Sequence, residues 1–323
     1  MLSTVAETSI NGRAYTSPFR HWDSKSAVRA KPLRQPSSED LSHALPFSPE
    51  LVPVSLHPLV ERRGPQAQRR LLAYHLYAYL DFTETLENEI IGPVCYQLSR
   101  RHFPFKISRE MAADARKICV DEAHHALFCA DMIDEIEAMT GFDRLPRLRP
   151  SYLDRLDRLK DGVPAELAPL VTLFFTSVSE TLITGTLSQA PKDERIIAAV
   201  RDIIRDHAED EARHHSYFAK LVDLSWPQLA PEIRAVIGPM FPEFFKIFLT
   251  PDLAMIGHWL QAIGLTPQEI HTAIEESYPQ DAIIANMRKG AEGSLRYFLR
   301  SGVADDPATA DAFAASGLMP ADC

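Results

Sequence analysis

From about Arg69 onward, hydrophobic positions recur every three to four residues in long segments, glycines are few, and the alternation expected of a strand is not sustained anywhere. The pattern predicts an all-α fold. Residues 1–65 read differently: they carry eight of the 24 prolines, Ser-rich and basic patches, and no sustained period, which marks a Pro-rich arm and not a second domain. A first helix is expected over Gln66–Arg101, kinked by Pro93 after Gly92. The second begins after Ser108, a side chain suited to cap a helix N-terminus, and stops near Gly141, a residue suited to the left-handed turn that ends one. A short amphipathic helix is expected over Tyr152–Lys160. A third long helix begins after Pro164 or Pro169 and ends before Pro191, and a fourth runs from Lys192 to about Leu224. Further helices are expected at 228–249, 252–263, 266–278 and 281–300, giving a helical domain over 66–302. The tail 303–323 reads as loosely held.

The fourth helix carries the most informative stretch. At 3.6 residues per turn, steps of four and seven residues return within roughly 40° of the starting direction, so His207, Glu211 and His214 share one face. That face continues an apolar stripe through Ile197, Val200, Ile204 and Phe218, and so looks inward. A carboxylate in a low-dielectric interior costs several kcal/mol unless paired, and a metal ion suits two imidazoles and a carboxylate together.

The second helix repeats the Glu-x-x-His spacing at Glu122 and His125, on a stripe through Met111, Ala115, Ile118, Cys129 and Met132. One such pair on a helix is common and usually solvated. Two, each inside an apolar stripe, point to a site. On the third helix, Glu180 is the sole charged residue between Glu166 and Lys192; alone it reads equally as a protonated core acid or a ligand. The first helix offers Glu84, Glu87 and Glu89. Periodicity through Leu76, Leu80 and Thr83 favours Glu87, with Glu84 on the flank of that face and Glu89 turned away. His207 is surplus to two Glu-x-x-His pairs. It reads as a ligand one turn before Glu211, or as a core histidine behind the ligands. His124 and His215 turn about 100° from their neighbours and fall outside the ligand set.

Glu, Glu-x-x-His, Glu, Glu-x-x-His in chain order is the arrangement by which ferritin-like four-helix bundles hold two metal ions between carboxylates. Four carboxylates balance two divalent ions, and carboxylate with imidazole suits non-haem iron or manganese. Composition then excludes other classes. A net charge of −10 and no long basic run argue against nucleic acid. Four cysteines without a CxxC pair, no secretory leader pattern and no apolar run near 20 residues fit a cytoplasmic protein without a membrane span.

These motifs resemble the p-aminobenzoate N-oxygenase (AurF-type) family of di-iron oxygenases. The likeness rests on Glu87, Glu122-x-x-His125, Glu180 and His207-x-x-x-Glu211-x-x-His214, with motif intervals of 35, 58 and 27 residues, and covers about residues 70–225. It implies a homodimeric enzyme of secondary metabolism that uses O2, two iron ions and an external electron donor to oxidise an amine to the hydroxylamine, nitroso or nitro level. It further implies that Glu87, Glu122 and His125 hold one iron and Glu180, His207 and His214 the other, with Glu211 bridging. In one respect the residues depart from p-aminobenzoate as substrate: no Lys or Arg lies on helix one between Arg70 and Arg100, or on helix three between Lys160 and Lys192. The expected substrate is an arylamine less anionic than p-aminobenzoate, or an amino acid or amine held elsewhere, free or tethered to a carrier. The competing readings are a ferritin-like di-iron desaturase or C–H hydroxylase, a non-catalytic iron-binding protein, and a plain bundle whose buried acids and histidines satisfy one another.

Overall fold

The computed structural model describes residues 15–38, 43–187 and 189–319; the remainder of the arm, Ser188 and the last four residues lie outside the described set. Among the described residues twelve principal helices follow one another. They are α1 (Pro65–Leu86), α2 (Gly92–Arg100), α3 (Arg109–Thr140), α4 (Ser151–Asp161), α5 (Ala168–Leu187) and α6 (Ala198–Ser225), then α7 (Pro231–Ile237), α8 (Phe241–Leu249), α9 (Leu253–Ala262), α10 (Pro267–Ser277), α11 (Gln280–Arg300) and α12 (Pro307–Ala315). Among the described residues the sole β-type pairing is an isolated parallel bridge between Leu45 and Ile196. The fold is all-α. No described helix is long and apolar enough to cross a membrane.

The bundle is built from two helix pairs, α1–α2 packed along α3 and α5 packed along α6. Ser108 caps α3 by accepting from the Met111 amide at 3.0 Å, and Gly141 ends that helix at φ 66°. Helix α5 is apolar on nearly every face, which is stable only if every face is covered. The C-terminal helices provide the cover: Phe174 meets Trp226 and Phe241, Phe175 meets Phe244, and Phe241 and Phe245 both meet Phe298. Ser294 of α11 donates to the carbonyl of Thr181 at 2.8 Å, one residue from Glu180. These helices are therefore the outer wall of the bundle's most apolar member.

Three expectations change. The first helix opens into a π-turn at Glu87–Ile91, one turn before the proline, in place of a kink after Gly92. Pro93 lacks an N–H and its ring crowds the carbonyl four residues back, so the ladder must open just ahead of it; the Gly92 amide reaches back five residues to the Glu87 carbonyl. The fourth helix starts at Ala198 and not at Lys192, because the preceding residues pair with the arm. The Leu45 amide donates to the Arg195 carbonyl at 2.7 Å and the Ile197 amide to Leu45 at 3.0 Å. The segment beyond Gly302 is not loose through its described part, since α12 buries Thr309 and Phe313 and Leu318 is buried after it. The arm is packed as well: Tyr15, Phe19, Val52 and Val54 join the core.

The π-turn depends on a close approach. A Cβ at position 92 would sit 3.0 Å from the Glu87 carbonyl oxygen, which is backbone and cannot swing aside. Gly92→Ala is expected to destabilise the protein by about 1–3 kcal/mol and to weaken metal binding through Glu87, read by thermal unfolding with and without Fe(II). Unaltered stability and metal affinity would mean that the turn tolerates the methyl group.

Candidate metal centre

The four inward helices bring all seven predicted residues to one place. Glu87 comes from the π-turn, Glu122 and His125 from α3, Glu180 from α5, and His207, Glu211 and His214 from α6, each at most 2% exposed. Their ligand-capable atoms form two groups, one of Glu87, His125, His207 and Glu211, the other of Glu122, Glu180, Glu211 and His214, with the atoms of each group within 4.8 Å of one another. Glu211 belongs to both. His214 Nδ1 lies 3.0 Å from Glu122 Oε1 and from Glu211 Oε1, and 3.7 Å from Glu180 Oε2. His125 Nδ1 lies 3.4 Å from Glu122 Oε2, so Glu122, like Glu211, faces both groups. Glu84 stays on the flank, bound to Arg147 at 2.8 Å, Glu89 is exposed, and His124 and His215 are only partly buried.

The grouping differs from the one implied by resemblance. His207 was assigned to the side of Glu180 and His214, yet its Nε2 lies 3.1 Å from Glu87 and its ring 4.3 Å from that of His125. The reason is axial: His207 sits one turn before Glu211 and His214 most of a turn after it, so the two imidazoles fall on opposite sides of the shared carboxylate. Glu122 correspondingly groups with His214 and Glu180.

Two further carboxylates escaped the sequence reading. Asp121 and Asp210 each precede a ligand-type Glu, and each is fully buried. They act crosswise between helices: Asp210 of α6 faces His125 Nε2 at 3.0 Å, and Asp121 of α3 faces His214 Nε2 at 3.2 Å. Each aspartate thus fixes which ring nitrogen points to the cluster. The signal was in the sequence as a doubled Asp-Glu-x-x-His, Asp121 to His125 and Asp210 to His214. The arm then ties down both acids. Trp22 Nε1 donates to Asp121 at 2.8 Å, and the Ala27 amide donates to Asp210 at 3.0 Å, which Arg213 also contacts.

The residues present fit a pair of metal ions. Nine ligand-capable atoms are buried without a hydrogen-bond partner: both carboxylate oxygens of Glu87, Glu122 and Glu180, Glu211 Oε2, His125 Nδ1 and His207 Nε2. Buried polar atoms are normally satisfied, so a concentration of orphans converging on one point calls for a cation. Without metal, protons take that part. Burial, with Glu211 and Glu122 nearby, holds the Glu180 carboxyl well above the usual range. Burial alone would lower His125, but the facing carboxylates of Glu122 and Glu87 outweigh it and push the imidazolium up to about 10. His214 is likewise raised, burial being overcome by the carboxylates of Glu211 and Glu122. For Glu211 burial opposes ionisation, yet the charge of His214 and the nearby His207 imidazole hold it well below the usual range.

Because metal ligation needs neutral imidazole and ionised carboxylate, ions entering the site displace these protons. Fe(II) uptake near neutral pH is expected to release protons into weakly buffered solution, with apparent affinity rising with pH up to about 10, where His125 loses its proton. Uptake without proton release and without pH dependence would contradict this electrostatic picture.

The geometry agrees with what comparison with known proteins finds. The model of the p-aminobenzoate N-oxygenase AurF family matches residues 13–301, so the likeness extends beyond 70–225 to take in the arm that binds Asp121 and Asp210 and the helices that cover α5. Helical fold, metal-type cluster and match along most of the chain agree, and this chain belongs to the p-aminobenzoate N-oxygenase AurF family.

Proposed function

We propose that the protein is an O2-dependent di-iron N-oxygenase that oxidises a small amine to the hydroxylamine, nitroso or nitro level. The observation that carries the reading is the pair of buried ligand groups joined through Glu211, with nine orphaned oxygen and nitrogen atoms directed at them. When bound there, two iron ions would supply O2 activation and the redox change. The chain's own residues do the rest. The two aspartates hold His125 and His214 in orientation, and Phe19, stacked 6.0 Å from His214, and Phe128, 5.4 Å from His125, keep water from the ligands.

For the substrate, the reading favours an amine without a free carboxylate. A cleft of ≈ 620 Å³ opens beside α1 and α3, walled by Tyr74, Tyr77 and Trp259, and reaches Glu84, one turn from Glu87. Its cations are already matched, Arg147 with Asp81 and Glu84, and Arg144 with Asp134 and Glu137. An aromatic or other apolar amine, free or carrier-tethered, suits such walls better than an anion. The reading also carries a homodimer acting in secondary metabolism in the cytoplasm.

Anaerobic loading with Fe(II), then O2, then a panel of amines tests the proposal. Two irons per chain and amine-dependent formation of N-oxygenated product are expected, with p-aminobenzoate a poorer substrate than neutral arylamines. Loading far above two irons per chain, or product from an alkyl substrate alone, would overturn it. His207→Ala is expected to keep its helical content while losing part of its iron and about 10–100-fold or more of its activity. An unaltered enzyme would remove His207 from the ligand set.

A further inference from the structure

The two His–Asp pairs end differently at the surface. On the His125 side, Asp210 is held by the Ala27 amide and the Arg213 guanidinium, neither of which exchanges electrons readily. On the His214 side, Asp121 takes both its oxygens to one indole, with Trp22 Nε1 at 2.8 and 2.9 Å. Trp22 is only partly buried, and Arg29 lies over its ring at 5.3 Å. Two hydrogen bonds and one imidazole therefore join a surface-reaching aromatic ring to the ligand cluster.

The surface around this ring has its own sign. The chain carries −10 overall, yet residues 15–35 hold Arg20, Lys25, Arg29, Lys31 and Arg34 against Asp23 alone. Lys31 and Arg34 bind Asp206, Asp202 and Glu209 of α6 and Arg29 binds Asp23 at 3.1 Å, while Arg20 and Lys25 stay exposed on the arm beside Trp22. A basic patch on an acidic protein selects an acidic partner and speeds its encounter.

We infer that Trp22, Asp121 and His214 form the route by which electrons reach the metal centre, and that an acidic one-electron carrier protein docks on the basic arm over Trp22. The inference rests on the N-oxygenase reading, whose balance requires it: R–NH2 + O2 + 2 e⁻ + 2 H⁺ → R–NHOH + H2O needs two electrons that neither amine nor O2 supplies in this step. Each transfer oxidises the carrier by one electron and reduces one ferric ion to ferrous. The indole ends each transfer unchanged.

The test follows reduction of the oxidised, iron-loaded protein by loss of its ferric absorbance, without amine. One arm uses a reduced acidic [2Fe–2S] ferredoxin, the other dithionite with methyl viologen, which needs no docking surface. Trp22→Phe is expected to slow ferredoxin-driven reduction, normalised to bound iron, by about 10–100-fold. The double variant Arg20→Glu/Lys25→Glu should slow it about tenfold or more at low salt, with the difference vanishing at high salt. Reduction by dithionite and viologen should be unchanged in both. Equal ferredoxin rates in wild type and Trp22→Phe, or no reduction of wild type by ferredoxin, would overturn the route. A variant that loses iron or slows equally with both reductants would make Trp22 a structural clamp on Asp121 instead. Failure of the N-oxygenase reading shows separately, as iron that does not load or pre-reduced protein that oxidises no amine.

Discussion

The structure turns on four buried carboxylates, Glu87, Glu122, Glu180 and Glu211, each at most 1% exposed. An isolated buried charge costs several kcal/mol, so this many acids in one interior volume must be answered by cations or protons. Protons give a partial answer, since His125, His214 and the Glu180 carboxyl are all held above their ordinary ranges. Two divalent ions answer the same charge without protons. The centre is thus an unfavourable arrangement of like charges that metal relieves, held in place because the surrounding helices do not yield.

Rigidity comes from both ends of the chain. The arm reaches across α3 and α6 to hydrogen-bond Asp121 and Asp210, and through them fixes His214 and His125. The helices after Ser225 close the outer face of α5, so that the backbone carrying Glu180 is packed on both sides. Neither part supplies a ligand to the cluster, yet each limits how far a ligand can move. The family match, from residue 13 to 301, takes in both of these parts as well as the ligand-type residues between 87 and 214.

Much of the arrangement was legible in the amino-acid order because helices translate spacing into direction. Glu122 with His125, and His207 with Glu211 and His214, share a face by virtue of steps of three, four and seven residues on an uninterrupted helix. Glu87 was legible for the same reason, as the acid that continues a buried stripe, with Glu84 and Glu89 turned off it. The caps at Ser108 and Gly141 were equally local, since they follow from what one side chain, or the lack of one, does at a helix end.

What tertiary structure alone decided was everything that joins positions distant in the chain. The crosswise pairing of Asp121 with His214 and Asp210 with His125 spans 93 and 85 residues, and no helical period encodes it. The side of the centre taken by His207 depends on where α1 and α5 lie relative to α6, and the delayed start of α6 on the bridge to Leu45, more than 150 positions upstream. The sequence by itself determined which residues face inward, because that is a property of one helix. Which inward residues meet, and in which of two groups, is a property of how several helices pack.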